Sequence, residues 1–281
     1  MNPMTKVRDI NPGVFSGLVN SYPFCTEYKR ILSTAIGFGY KVPSYYQQVK
    51  QDRLIRNLKT IGIWERLDVF YIFASDGDNN FATLNWKEPR QYQISRVSSP
   101  TFTKNVGFTF NGSSNYLDTN WKPSNGVNFK QNNASAFADE QNSVSTSTIL
   151  FGSAGITGTT NAFRCTPRSA TGNFTYTVND STANNIAVAS SIGFHHIRRN
   201  SASGSNSKRA FTNGATIGSN TVTSTGVSTN NMYIGALNTD GGAISFRASQ
   251  TGIFGAGSSL EGYESTLYNL WNKYFTTILY A

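Results

Sequence analysis

The sequence predicts a mainly β fold, a sandwich or barrel preceded by a smaller helical segment and closed by a helix. Three observations carry this. From about Ser95 onward, short apolar runs alternate with turn residues roughly every ten positions, the spacing of an all-β domain. Aromatic residues are plentiful (19 Phe, 14 Tyr) while only 14% of residues are charged, a balance that suits half-buried pleated surfaces and argues against disorder. The last 24 or so residues switch to helical periodicity.

Taken in order, residues 1–95 form the helix-rich part and are expected to act as an anchoring or assembly segment. A helix is expected around Cys25–Ala35, between Pro23 and the Gly37/Gly39 pair. A second starts after Ser44, a potential N-cap. Tyr45, Val49, Asp52, Ile55, Leu58 and Ile61 follow at three- and four-residue spacing, and Gly62 stands at the C-terminal stop. All but Asp52 are apolar. Val69–Phe73 is a short apolar run between turn signals, as in a buried strand.

Residues 96–281 form the β-domain. Strand-like runs include Gly107–Phe110, Asn115–Thr119, Ala134–Ala138, Phe174–Val178, Phe194–Arg198 and Lys208–Thr212, with Asn-Gly turn signals at 111–112, 125–126 and 213–214. Ser258 and Glu261 are spaced as a capping box. After them Leu260, Tyr263, Leu267, Leu270, Trp271, Tyr274 and Ile278 make a wide apolar stripe. That stripe needs a cover, and intrachain packing is the expected one.

The formal charge of +9 is evenly spread, with 12 basic and 8 acidic residues in 1–95 and 12 and 7 in 96–281. A concentrated basic stripe is missing, so a nucleic-acid partner is not expected. No run approaches the ~18 apolar residues of a membrane span, so membrane insertion is not expected either. The N-terminus lacks the apolar region of a secretory signal, which points to synthesis in the cytoplasm. Cys25 and Cys165 are expected to be free thiols.

Several phrases resemble a known family. Phe108-Thr-Phe-Asn-Gly-Ser-Ser-Asn-Tyr-Leu-Asp-Thr119 is similar to the opening strands of the concanavalin A-like/laminin-G-like modules of tailed-phage virion proteins. Gly252-Ile-Phe-Gly-Ala-Gly-Ser-Ser-Leu260 and the helix after it resemble their last strand and terminal helix. Leu67–Ala74 through Ala82–Lys87 resembles the region ahead of such modules, notably in crAss-like phages. The resemblance covers most of residues 60–281. It implies a jelly-roll sandwich and a homo-oligomeric, non-enzymatic virion protein (fibre, decoration or appendage) with other virion proteins as partners. It also leaves room for a host surface glycan as ligand. The alternatives are a glycan-binding receptor-recognition module and a glycan hydrolase.

Residues able to carry chemistry are few, and no cofactor is expected. A glycosidase of this fold class needs two carboxylates about 5–5.5 Å apart for retention. The sandwich offers Asp118, Asp139, Glu140, Asp180 and Asp240 before its final helix, none spaced i, i+2. Adjacent Asp139 and Glu140 would point to opposite faces of a strand. The two histidines, His195 and His196, are also adjacent, so one is expected packed and one exposed. Asp76-Gly-Asp-Asn-Asn80 mimics the start of a calcium loop, but Phe81 and Lys87 stand where Gly and Glu are required. Gly255-Ala-Gly257 lacks the third glycine of a dinucleotide loop. Tyr116, Trp121 and Phe129 are candidates for stacking on a sugar ring or for contact with another subunit.

Overall fold

The computed structural model describes residues 22–155, 160–240 and 242–279. Its helices are α1 (Thr26–Gly37), α2 (Tyr45–Thr60) and α3 (Glu264–Leu279). Its strands, in chain order, are β1 (Leu67–Ile72), β2 (Ser95–Val97), β3 (Thr101–Thr103), β4 (Gly107–Thr109), β5 (Tyr116–Asp118), β6 (Ala134–Glu140), β7 (Phe151–Ala154), β8 (Ala162–Thr166) and β9 (Asn173–Asp180). There follow β10 (Asn184–Ala187), β11 (Gly193–Arg199), β12 (Lys208–Thr212), β13 (Ala215–Asn220), β14 (Tyr233–Ile234), β15 (Leu237–Thr239), β16 (Gly242–Ile244), β17 (Gln250–Thr251) and β18 (Ile253–Gly257).

The first sheet runs β1-β18-β6-β11-β12-β13, antiparallel throughout. The second runs β10-β9-β8-β7-β14-β5-β2, with the β15–β16 hairpin branching from β7. A small third sheet joins β17, β4 and β3. This is the mainly β sandwich expected from the sequence, with its helical N-terminal part and closing helix.

Three layers result, and the first sheet is the middle one. Period-two alternation sends Val69 and Tyr71 of β1 into the sandwich core, while Phe70 and Ile72 face the helices. On β6, Ala134, Ala136 and Ala138 face the second sheet and Phe137 faces the helices. Burial on both faces explains why β1 reads as an unbroken apolar run from Val69 to Ile72. It also places Leu67–Ile72, which lies within residues 1–95, inside the sandwich as an edge strand. The sheets therefore draw strands from both sides of residue 95.

Helix α2 begins at the expected cap, where the Ser44 hydroxyl accepts the Gln47 N–H at 3.4 Å. It stops at Gly62, whose φ of +76° is the left-handed conformation that ends helices. Asp52, the polar residue in the apolar stripe, is fully buried and joins α1 to α2. It accepts the Cys25 N–H at 2.6 Å, the Arg56 Nε–H at 2.6 Å and the Tyr22 O–H at 3.0 Å.

The closing helix differs from expectation at its start. It begins at Glu264, not after Ser258, because Gly262 adopts φ +82° and interrupts the chain. Ser258 instead bonds the Arg66 carbonyl, and Glu261 takes Arg198 and Asn200. No capping box forms. The stripe itself is covered within the chain, since Leu267, Trp271, Tyr274 and Ile278 lie in one cluster with Ile55 and Leu58 of α2 and with Phe70 and Phe137 of the first sheet. Each such buried side chain contributes about 1.5–3 kcal/mol.

The β1–β18 seam is tight. A Cβ on Gly257 would lie 2.1 Å from the Arg66 carbonyl oxygen and 2.7 Å from the Leu67 Cα. Backbone cannot yield as a flexible side chain would. Gly257→Ala is therefore expected to loosen β1 and cost about 1–3 kcal/mol, read as a lower urea midpoint. An unchanged midpoint would show that the seam relaxes.

Candidate functional site

The outer face of the second sheet carries a continuous polar surface. On β8 and β9, Phe163, Cys165, Phe174, Tyr176 and Val178 point into the core. Alternation then sends Arg164, Thr166, Thr175 and Thr177 outward. Register aligns them into rows. Asp118, Tyr233, Gly152, Arg164 and Thr177 lie side by side across five strands, and Thr166, Thr175 and Asn185 form the next row.

Above these rows is a groove of about 300 Å³, lined by Ser147, Ile149, Arg164, Thr166, Ser169, Thr171, Thr175, Asn185 and Ser245. Ile149 forms part of one wall and belongs to a small apolar cluster with Leu237 of β15. The lining hydroxyls and amides are pre-aligned. The Thr175 hydroxyl donates to Asn185 Oδ1 at 2.8 Å, and the Ser169 and Thr171 hydroxyls lie 2.9 Å apart. Arg164 Nε donates to the Thr177 hydroxyl at 3.4 Å, fixing the guanidinium against the sheet. Burial lowers the Arg164 pKa, with Asp180 opposing, and the side chain stays a cation.

Beyond the hairpin, on the same face, Tyr116 packs on Tyr233 with ring centroids 4.5 Å apart and on Phe246 at 6.0 Å. Tyr116 is thus a half-buried outer-face residue. Trp121 and Phe129 are not. Each is 1% exposed, they meet edge to face at 5.6 Å, and both belong to the core between the sheets. Neither presents a ring face to solvent. Trp121 lies just past the end of β5, where the chain dips inward, and the alternation of 116–118 does not extend to it.

The carboxylates do not form a catalytic pair in the groove. Asp139 is saturated, its Oδ1 accepting the Thr251 hydroxyl at 3.0 Å and the Gly252 N–H at 2.6 Å, and its Oδ2 accepting Gln141 Nε2 at 2.9 Å. Burial still pushes it up to about 6. Glu140 makes a two-pronged, fully buried pair with Arg247 at 2.9 and 3.0 Å. Burial raises it to about 7, against the pull of Arg247. Asp180 is buried between Arg199 and Lys208. Asp240 is exposed at the hairpin tip. Asp118 lies on the outer face but is held by Asn231 and Asn120. No carboxylate lines the groove over Arg164.

The remaining motifs resolve as structure. Both histidines are buried, not one of the two, because β11 is central in a sheet covered on both faces. His195 faces the sandwich core beside Phe174, and His196 faces the helical layer, stacked on Phe211 at 5.4 Å. Asp76 accepts the Ser44 N–H and Asp78 accepts the Lys41 and Phe81 N–H groups, so the would-be calcium loop ties the helices to the sheet. Among the described residues, no cluster of three metal-ligating side chains forms. Cys25 and Cys165 are free, and burial pushes the Cys25 thiol up to about 12, far from an activated nucleophile. No described helix is long and apolar enough to cross a membrane.

No protein-family model matches the chain, and no curated protein matches it. Solved structures do. A Trypanosoma rangeli sialidase in complex with sialic acid superposes with a TM-score of 0.49 at 11% identity, over 80% of this chain and 39% of its own. The NanB sialidase from Streptococcus pneumoniae gives 0.44 at 12%, over 57% of this chain and 27% of its own. Domain 4 of AbnA, an extracellular arabinanase from Geobacillus stearothermophilus in complex with arabinotriose, gives 0.41 at 10%, over 72% and 98%. The chain thus spans about two fifths of the length of the Trypanosoma sialidase. The expectation of a virion structural protein is thereby corrected, since these neighbours are sialidases and an arabinanase and none is a virion protein.

Sequence reasoning missed Arg164 and the hydroxyl rows around it. The alternation of Phe163/Cys165 with Arg164/Thr166 was visible. Polar residues at alternate positions are the default for any solvent-facing strand, however, so nothing singled these out.

Proposed function

We propose that this chain is a glycan-binding module that holds its ligand on the outer face of the second sheet, without cleaving it. The observation that carries this reading is the Arg164 groove, where a fixed guanidinium and rows of hydroxyl and amide groups lie on the same face as the Tyr116–Tyr233–Phe246 cluster. A sugar presents hydroxyls on its rim and apolar C–H groups on its faces. Such a ligand needs paired donors and acceptors for the first and an aromatic surface for the second.

The lining argues for binding over hydrolysis. Glycoside cleavage by the common route requires an acid and a second carboxylate on either side of the bond, and the groove has none. A phenolate nucleophile is no better served. Burial raises the Tyr233 pKa, and hydrogen bonding to Tyr116 and the nearby Asp118 raise it further, the reverse of activation.

The test is a glycan array probed with the intact chain, followed by titration of whichever sugar binds. Arg164→Ala should weaken binding about 10- to 100-fold, the loss of charge-assisted hydrogen bonds worth about 1.5–3 kcal/mol. Tyr116→Ala should weaken it less. An array with no signal, or binding indifferent to both substitutions, would sink the reading. Release of new reducing ends on incubation would overturn the non-catalytic part.

A further inference from the structure

Helices α2 and α3 pack side by side on the far side of the molecule from the Arg164 groove, and a second cavity lies between them. It has a volume of about 130 Å³ and is lined by Lys50, Arg53, Leu54, Asn57, Leu270, Lys273, Tyr274 and Thr277. Lys50, Arg53 and Asn57 follow at three- and four-residue steps on α2, so they share one face. Lys273 and Thr277 do the same on α3.

The lining therefore holds three cations and no carboxylate. Other basic residues of these helices are matched, since Arg56 pairs with Asp52 and Lys59 with Glu27. Among the described residues, no ion pair reaches Lys50, Arg53 or Lys273. Lys50 leans over the Tyr46 ring at 4.5 Å, a contact that orders it without neutralising it. Like charges at i, i+3 on one helix repel by a few tenths of a kcal/mol. A third across the groove adds to that repulsion.

We propose that the α2–α3 groove binds a tetrahedral oxyanion, a phosphate or sulfate group carried by a larger ligand. The two negative charges of a phosphate monoester offset three cations better than one carboxylate does, and a sulfate ester offers them three acceptor oxygens. Arg53 supplies a planar fork suited to oxyanions, and the two ammonium groups supply point charges. The Asn57 amide provides a neutral donor at the rim. The volume accommodates one such group. The aliphatic walls of Leu54 and Leu270 exclude water from one side, which strengthens the attraction.

The experiment uses the intact chain and thermal melting in sodium phosphate or sodium sulfate against sodium chloride at equal ionic strength, with titration calorimetry of phosphate. Because phosphate and sulfate stabilise proteins generally, the deciding comparison is with the variants Lys273→Glu and Arg53→Gln. Both positions are exposed, so the core is untouched. Wild-type chain should bind phosphate at least tenfold more tightly than either variant, and its extra melting shift over chloride should vanish in them. Glycerol phosphate and glucose 6-sulfate, run in parallel, identify the carrier by which of them binds more tightly. Equal phosphate binding by wild type and Lys273→Glu, or no excess over chloride, overturns the proposal. Neither outcome bears on glycan binding at Arg164, which the array tests separately.

Discussion

Asp180→Asn destabilises the sandwich by about 3–5 kcal/mol, the expected cost of stranding buried charge. Asp180 ends β9, and its Oδ2 accepts Arg199 Nη2 at 2.8 Å and Lys208 Nζ at 2.9 Å, with all three side chains fully buried. Arg199 and Lys208 face each other across β11 and β12, so two cations share one carboxylate. Both are also anchored elsewhere. Arg199 donates to the carbonyls of Val178, Ser201 and Ala202, and Lys208 donates to that of Thr182. They cannot swing to solvent when the carboxylate is removed. An amide keeps the shape and loses the charge.

Lys208 gives this prediction a pH signature. Burial already lowers its pKa, and Asp180 opposes that fall. Without Asp180 the folded-state value drops further below the unfolded value of ~10.4. A cation whose folded pKa is depressed costs stability at low pH, and the cost is relieved as pH rises toward the unfolded value. The penalty of Asp180→Asn should therefore shrink between neutral pH and about pH 10. Lys208→Met in the same background should recover part of it at pH 7. Urea unfolding followed by circular dichroism measures both. A variant within 1 kcal/mol of wild type would mean that the two cations are accommodated without their counter-ion.

The second large effect is acid destabilisation through the buried histidines. Burial pushes His195 down to about 4, with its Nε2–H bonded to the Ser191 carbonyl at 2.7 Å, and pushes His196 down to about 3, with Arg198 adding to the fall. Neither ring nitrogen of His196 has a hydrogen-bond partner among the described residues. Both folded values lie below the unfolded ~6.5. Their stabilising contribution is thus complete above about pH 6.5 and is lost as pH falls toward 4 and 3. By pH 4.5 each histidine costs about 2–3 kcal/mol.

Asp139 and Glu140 act in the opposite sense. Burial raises both, so their contribution is present at low pH and lost as pH rises through about 6 and 7. The wild-type profile is a partial cancellation, and the histidine effect is isolated by difference. His196→Phe keeps the stack on Phe211 and removes two unpartnered buried nitrogens, a gain of about 1–3 kcal/mol less any overpacking. Overpacking does not depend on pH. The stability difference between variant and wild type should therefore widen by about 2–3 kcal/mol between pH 7 and 4.5, and a constant difference would disprove the assignment.

Much of this architecture could be read from local pattern. The Ser44 cap, the Gly62 stop and the stripe of α2 are properties of a single turn or face, and they stand where expected. The Asn213-Gly214 turn likewise needs only its own residues, both at positive φ between β12 and β13. The capping box at Ser258 and Glu261 failed because both side chains found partners distant in sequence, Arg66 in one case and Arg198 in the other. Trp121 and Phe129 lie in the core for a similar reason. An aromatic after a short strand is the same residue whether it turns out or in, and here the space between two sheets took it in.

What the sequence determined by itself was the mainly β class, the helices around it and the burial of the closing stripe. Each follows from periodicity, which is set by backbone geometry within a few residues. Tertiary structure alone decided that Leu67–Ile72 joins the sandwich and that the first sheet is covered on both faces, burying both histidines. It also brought Arg164 into a groove with Ser147, Asn185 and Ser245, and set Lys50 and Arg53 opposite Lys273. These arrangements depend on which strands and helices pair across long stretches of chain. Period-two and period-3.6 patterns say which face of an element is apolar, and nothing of what that face, or the polar one behind it, will meet.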